Sequence, residues 1–364
     1  MIEPRDAPYP ELKKRHTMTH TGRPYTDFKP PPAAPVWAAI DGFGRYHLLL
    51  AALELGVFDA LQSSGPCPSA AFAGRLEASA PHVRALLDGL VVMGLLDQVG
   101  GLYDLNDTAR RYLVSDGPAS MADLIPVAPG PHDNWRQLAN TIRTGRPSTP
   151  IDDDPAAFYV PLVEGTFTTM LRCASRADLK MRYSTTPAAR VLDLGAGGAP
   201  WTIAMLQACP EATATVNDFD AVLDVARRTT ALHGVIERCT FRAGNYFDIE
   251  IETGAYDIAV LGHVCRAEGA AGAKRLIERA FASLAPGGRL VLADYFCDPE
   301  HRVNSHAVLM GATMMASTLN GFTYTTDEFG EWLRSAGFVD LRLIEPIGFQ
   351  TCIVATGPRE RSFE

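Results

Sequence analysis

The stretch from Ala189 onward constrains this chain most. ARVLDLGAGG reads as a buried strand running straight into a glycine turn, and IAMLQACP as the helix after it. ATATVNDFD is a second strand ending in acids, and AVLDVARRTTALHG a second helix. CTFRAGNYFD and YDIAVLGHV hold the third and fourth strands, AKRLIERAFASLAPGG a helix, and RLVLADYF a fifth strand. Strands alternating with helices of about 10–15 residues specify a parallel, doubly wound α/β sheet, because parallel neighbours need a crossover that a helix supplies. FVDLRLIEPIGFQTCIVAT adds two further strands. At 364 residues the chain is too long for this unit alone, at about 150 residues per domain.

What precedes the sheet is helical. Residues 45–61, RYHLLLAALELGVFDAL, place apolar groups all round a helix, which predicts burial against a second subunit or domain. CPSAAFAGRLEAS and APHVRALLDGLVVMGLL are two more helices, the second with Pro81 in its first turn. DQVGGLYDLND then reads as a hairpin about Gly100-Gly101, completing a winged-helix pattern over 36–115. A winged helix raises DNA binding. The would-be recognition helix carries Arg84 against Asp88 and is otherwise mostly apolar, whereas a major-groove helix needs several basic and polar side chains. A structural role, dimerisation, is favoured. Residues 116–185 read as a helical linker and pocket wall with Trp135, Phe158, Tyr159, Phe167 and Met170. Residues 1–35, with seven prolines before position 33, read as an extended arm. Its His16 and His20 mimic half of a zinc-finger ligand set, but no Cys precedes Cys67, so no metal is expected.

Composition narrows the function. The formal net charge of −9 argues against a nucleic-acid partner held by phosphate neutralisation, and against a cofactor-sensing DNA-binding regulator. Seven cysteines without a CxxC read as reduced thiols. No apolar run reaches 18 residues, and MIEPRDAPYPELKKRH lacks the apolar stretch of a leader, so a cytoplasmic protein without membrane contact is expected.

The chemistry concentrates after the first sheet strand. In Val191-Leu192-Asp193-Leu194-Gly195-Ala196-Gly197-Gly198 the glycines let backbone approach a ligand at the carboxyl end of a strand. The third glycine of a dinucleotide fingerprint is missing, since Ala199-Pro200-Trp201 follows, and Asp193 is a further departure from such a site. Asp218 lies 23 residues after Gly195, where a ribose-binding acid is expected.

VLDLGAGG, the acid in TVNDFD, the GNYF segment and LAPGGRLVLADYF together resemble the class I S-adenosylmethionine-dependent methyltransferases. The helical region from LLLAALELGVFDAL to GLYDLNDTARRYL resembles the winged-helix dimerisation domain of the small-molecule O-methyltransferase family, which includes plant phenolic and bacterial antibiotic-pathway enzymes. The resemblance implies an N-terminal mainly α-helical dimerisation domain, a Rossmann-like methyltransferase domain over 186–364, a homodimer and a small-molecule substrate. It also implies S-adenosylmethionine as cofactor, with S-adenosylhomocysteine as product. Asp193, Gly195 and Gly197 would line the methionine and ribose part, and Asp218 would take the ribose hydroxyls. Asn245 and Tyr246 match the adenine segment, and His263 a residue flanking the adenine or the methyl donor.

The family's catalytic pattern is broken. Relatives that methylate phenols carry a His-Asp pair after the fourth strand, where this chain has Arg266-Ala267, and a Glu where it has Thr323. Asp294 alone matches a carboxylate of the usual group. A phenol of pKa about 10 is about one part in a thousand ionised at pH 7, a deficit of about 4 kcal/mol. A positioned base recovers about 10²–10⁴-fold. Arginine cannot be that base, but it can hold a carboxylate or stabilise a developing oxyanion. His306, Met310, Thr313 and Ser317 share a face of the helix after the fifth strand, and the resemblance makes that face, with Met314, a substrate wall. Candidate catalytic residues are therefore Arg266, Asp294, His306 and His132, with His301 weaker; Phe167, Met170, Met310 and Met314 are candidate substrate contacts. Two outcomes stand: methyl transfer to an aromatic or polyketide-like secondary metabolite, or a ring closure, cyclopropane-forming or pericyclic, using the same cofactor or an adduct of it.

Overall fold

The structure is a computed structural model that describes residues 33–117, 119–181, 186, 188–347 and 350–359. The expected arm, with His16 and His20, lies outside the described residues up to position 32. The single helix expected over 45–61 is two: α1 spans Ala34–Glu54 and α2 Val57–Ser64. Gly56 stands between them at φ 62°, a left-handed conformation that an α-helix cannot contain, so the axis breaks there. α3 (Ser69–Arg75) and α4 (Ala80–Val92) follow, with Pro81 in the first turn of α4. β1 (Leu96–Val99) and β2 (Leu102–Leu105) form an antiparallel hairpin pairing Leu96 with Leu105. α5 (Asp107–Tyr112) is capped by Asn106, whose side chain accepts from the Ala109 N–H at 3.0 Å. Phe58, Leu61, Phe72, Leu87, Leu90 and Tyr103 close one apolar core among these elements, as a winged helix requires.

The segment read as a helical linker and pocket wall contains α6 (His132–Arg136), α7 (Leu138–Thr144) and the long α8 (Pro155–Met181). The sheet domain then runs β3 (Arg190–Leu194), α9 (Pro200–Ala208), β4 (Thr213–Asp218), α10 (Asp220–Leu232), β5 (Cys239–Ala243) and β6 (Tyr256–Gly262). It continues with α11 (Gly269–Ser283), β7 (Leu284–Asp294), α12 (Ser305–Ser317), α13 (Thr326–Ala336), β8 (Asp340–Ile347) and β9 (Gln350–Thr356). The strand order is β5-β4-β3-β6-β7-β9-β8. The five strands read as parallel are parallel, but the sheet as a whole is mixed: β9 pairs antiparallel with both β7 and β8. The link between β8 and β9 is too short for a crossover, so the chain can only fold back as a hairpin.

Alternation along β3 sets the two layers. Val191 packs with Ile203, Met205 and Leu223 on one face, and Leu192 and Leu194 pack with Leu276, Ile277 and Phe329 on the other. The chain leaves β3 toward β4 and β5, then returns to lay β6 on the opposite side of β3. That reversal opens a crevice at the carboxyl ends of β3 and β6, the place where ligands bind in such sheets. No helix among the described residues is long and apolar enough to cross a membrane.

Candidate active site

The loops after β3, β4, β6 and β7 meet at this crevice and, with α8 and α12, enclose a cavity of about 550 Å³. Gly195 (φ 66°) and Gly197 (φ 58°) both take the left-handed conformation in the turn after β3. At Gly195 a side chain is impossible twice over, because a Cβ there would lie 2.4 Å from Val264 Cγ1. The turn is tied to β4 by its own acid. Asp218 accepts the Gly197 N–H through Oδ2 and the Phe219 N–H through Oδ1, each at 2.8 Å. Burial raises Asp218 to about 6 against these two bonds. Asp193 is buried at the end of β3 and accepts Thr202 Oγ1 at 2.7 Å; burial raises it to about 7. Two desolvated carboxylates at one end of the cavity suit a ligand that brings hydroxyls and a cationic group.

The loop after β6 is anchored by the His263 N–H, which donates to Ala293 O at 2.8 Å. Arg266 donates from Nη1 to Asp294 Oδ1 at 3.0 Å and to His263 O at 2.8 Å, and its backbone N–H donates to Asp294 Oδ2 at 3.3 Å. Burial alone would raise Asp294, but the Arg266 guanidinium, the nearby His263 and the Tyr295 N–H outweigh it and hold the carboxyl at about 2. Arg266 in turn lies over the Tyr295 ring, its Cζ 5.1 Å from the ring centre. The Tyr295 ring packs against two imidazoles, 5.0 Å from His263 and 4.9 Å from His306, centre to centre. Burial, then the charge of Arg266, lowers His306 below the ordinary histidine range.

Of the residues singled out in the sequence, Asp193, Gly195, Gly197, Asp218, Tyr246, His263, Arg266, His306, Met310, Met314, Phe167 and Met170 all line this cavity. Asp294 sits directly behind Arg266. His132 does not join them. It is exposed at the start of α6, edge-on to His47, and the side chain its helix buries is Asn134, which holds Thr149. Asn245 is exposed too, its Oδ1 accepting the Phe247 N–H at 2.8 Å, so its role in the turn competes with a role toward a ligand. His301 is exposed in a turn at φ 54°. Thr323, at the position of the family's Glu, is buried and accepts from Cys297 Sγ at 3.4 Å under α12. Tyr159 of the expected pocket wall also lines the cavity, and burial raises it to about 12; two further cavity residues carried no signal beyond their type, Trp201 and Tyr295 beside Asp294. Glu268 also went unread; it holds the Tyr246 hydroxyl.

A doubly wound sheet whose crevice carries a glycine turn, an acid after β4 and a buried Arg–Asp pair defines an enzyme of the nucleoside-cofactor class. Family models narrow this. The O-methyltransferase dimerisation domain matches residues 37–115 and the O-methyltransferase domain matches residues 172–339. A 3-hydroxy-5-methyl-1-naphthoate 3-O-methyltransferase of Streptomyces sahachiroi is 25% identical over 83% of this chain and 88% of its own. The tetracenomycin polyketide synthesis 8-O-methyl transferase of Streptomyces glaucescens is 25% identical over 85% and 93%. Human N-acetylserotonin methyltransferase, solved in complex with S-adenosylmethionine, superposes with a TM-score of 0.77 at 24% identity, covering 91% of this chain and 99% of that one. The chain belongs to the S-adenosylmethionine-dependent O-methyltransferase family.

Proposed function

We propose that this enzyme methylates a hydroxyl group on a small, largely apolar aromatic or polyketide-like secondary metabolite, working as a homodimer in the cytoplasm. One observation carries the reading: a single cavity joins the glycine turn and Asp218 to the apolar wall of α12. S-adenosylmethionine, when bound, supplies an activated methyl group. Asp193, Gly195, Gly197 and Asp218 would hold it, with Tyr246 at the adenine and His263 beside the methyl donor. Asp218 suits the ribose because its carboxylate has about four acceptor positions, and two backbone N–H groups leave room for two hydroxyls.

Substrate enters against Phe167 and Met170 of α8 and Met310 and Met314 of α12. Their apolar surfaces exclude water and align the hydroxyl with the methyl donor, and alignment of this kind contributes several kcal/mol, of order half of the ~7–11 that full pre-orientation can supply. Arg266, fixed by Asp294, faces the reacting oxygen as a permanent cation and stabilises negative charge that develops there. His306 contacts the substrate from the α12 wall. The chain divides functionally at about 36, 115 and 185 into arm, dimerising unit, pocket wall and catalytic domain. The names of the relatives support methyl transfer to hydroxyls of naphthoate and polyketide molecules. Ring closure in place of methyl transfer has no support among them and is not proposed.

The test is a panel of hydroxynaphthoates and polycyclic phenols incubated with S-adenosylmethionine. Formation of S-adenosylhomocysteine together with an O-methylated product is expected. Cofactor cleavage without methylated product, or none with any member, counts against the reading.

A further inference from the structure

The protein uses only part of Arg266. Nη1 donates to Asp294 Oδ1 and to His263 O, and Nε is sealed from solvent. Nη2 has no hydrogen-bond partner among the described residues and is not sealed, and 15% of the side chain remains exposed in the cavity wall. A second open donor comes from α8. A Cβ on Gly197 would meet Val163 Cγ1 at 3.0 Å and one on Gly198 would meet Phe167 Cδ2 at 3.0 Å, so α8 crosses the glycine turn. Tyr159 lies one turn before Val163 on that face and lines the cavity. Its hydroxyl also has no hydrogen-bond partner among the described residues and is not sealed. Burial raises it to about 12, and Arg266 is the charge that acts on it most, so it is a neutral donor at pH 7. Two open donors from two walls of one cavity, one of them a fixed cation, suit an anionic oxygen.

The other described groups around Arg266 are poor proton acceptors. Asp294 is held at about 2, and Tyr295, raised by burial, keeps its proton. Both ring nitrogens of His263 are sealed from solvent. Glu268 holds the Tyr246 hydroxyl, Asp193 accepts Thr202, and Asp218 ties the glycine turn. His306 on α12 is the remaining acceptor, and burial, then the Arg266 charge, weakens it.

We propose that the substrate hydroxyl is an acidic one, such as the enol of a 1,3-dicarbonyl, a hydroxyquinone or a naphthol bearing an electron-withdrawing group, and that it binds as its anion against Arg266 Nη2 and the Tyr159 hydroxyl. The inference rests on the methyl-transfer reading above. The substrate proton leaves to water on binding. A lone pair of the anion forms the O–CH₃ bond, and the S–CH₃ bond breaks with its pair left on sulfur. The anionic and sulfonium charges cancel, so no protein group changes its protonation state. A neighbouring cation lowers an acid's pKa by about 1–3, and Arg266, already paired with Asp294, acts at the low end of that range. At pH 7 an ordinary phenol of pKa about 10 then stays about 99% protonated, whereas a hydroxyl of pKa about 7 is about 90% ionised.

The experiment carries one naphthalene frame through a plain naphthol, a nitronaphthol and a hydroxynaphthoquinone. A hydroxynaphthoate is the fourth compound; its acid is a carboxyl and not the hydroxyl to be methylated. The nitronaphthol anion has its own visible band. With S-adenosylhomocysteine bound, wild type is expected to titrate it about one pH unit below the free compound. Arg266→Gln should abolish that shift and Tyr159→Phe reduce it; the second variant removes only a hydroxyl and keeps the test readable if the first fails to fold. With S-adenosylmethionine at pH 7, kcat/KM is expected to rise about 10–10²-fold from the naphthol to the nitronaphthol, following the ionised fraction. The acidic limb of the pH–rate profile should follow each substrate's own acidity and survive in His306→Gln. Tyr159→Phe should lower kcat/KM for the nitronaphthol about 10-fold. A nitronaphthol bound with its proton overturns the proposal. So does an acidic limb common to all substrates or lost in His306→Gln, or a preference for the hydroxynaphthoate over the acidic hydroxyls. A wild type that binds the anion and methylates none of the four defeats the functional reading instead.

Discussion

Asp193 and Asp218 are carboxylates that burial has pushed up, to about 7 and about 6. The sign of their effect is therefore opposite to that of a salt-bridged acid. Folded, they bind protons that the unfolded chain releases, so the ligand-free protein loses stability as pH rises from about 4 through 7. Cofactor works the other way, because its hydroxyls and cationic group favour the ionised acids. We expect S-adenosylhomocysteine affinity to fall as pH drops below about 7 and again below about 6, and the second step to be missing in Asp218→Asn. Calorimetric titration between pH 5 and 8 measures both. Arg266 carries a separate prediction. Arg266→Ala leaves Asp294 buried without its partner, a loss of about 3–5 kcal/mol in denaturant unfolding. Turnover should fall further than cofactor affinity. The glycine turn and Asp218 were legible in the sequence because local backbone geometry dictates them. Asn245 and His132 were not, because which way a loop side chain points is decided by its tertiary neighbours: Asn245 turns to the Phe247 N–H and His132 lies edge-on to His47.

At the scale of elements the sheet strands and their crossovers followed from alternation and glycine punctuation, and even the last two strands were visible. Their antiparallel direction was not read, since alternation marks a strand and not the direction in which it pairs. The helix expected over 45–61 shows the complementary failure. Its apolar pattern continues across Gly56, and only the backbone shows the break. Nothing lies within 4 Å of a Cβ added there, so Gly56→Ala tests backbone strain alone. We expect it to destabilise the fold by about 1–2 kcal/mol, read as a lowered melting temperature with cofactor binding intact. The His306, Met310, Thr313, Ser317 face of α12 was readable from spacing, and all four residues line the cavity.

Over the whole molecule, the first part of α1 presents Val36, Trp37, Ile40 and Phe43 at 56–70% exposure. Val36, Ile40 and Phe43 at i, i+4 and i+7, with Trp37 beside them, call for cover, and the matched dimerisation domain begins at residue 37. We expect a twofold dimer in light scattering, and Trp37→Lys with Phe43→Lys to give a 39.3 kDa monomer. A wild type that scatters as a monomer at micromolar concentration contradicts this. The account turns most on the cofactor seat, and isothermal calorimetry of S-adenosylhomocysteine on wild type and Asp218→Ala reads it directly. Charge-assisted hydrogen bonds contribute about 1.5–3 kcal/mol each, so the loss of one or more predicts binding at least about 10-fold weaker in the variant. Equal affinity in the two proteins, or no binding to wild type, would contradict the account.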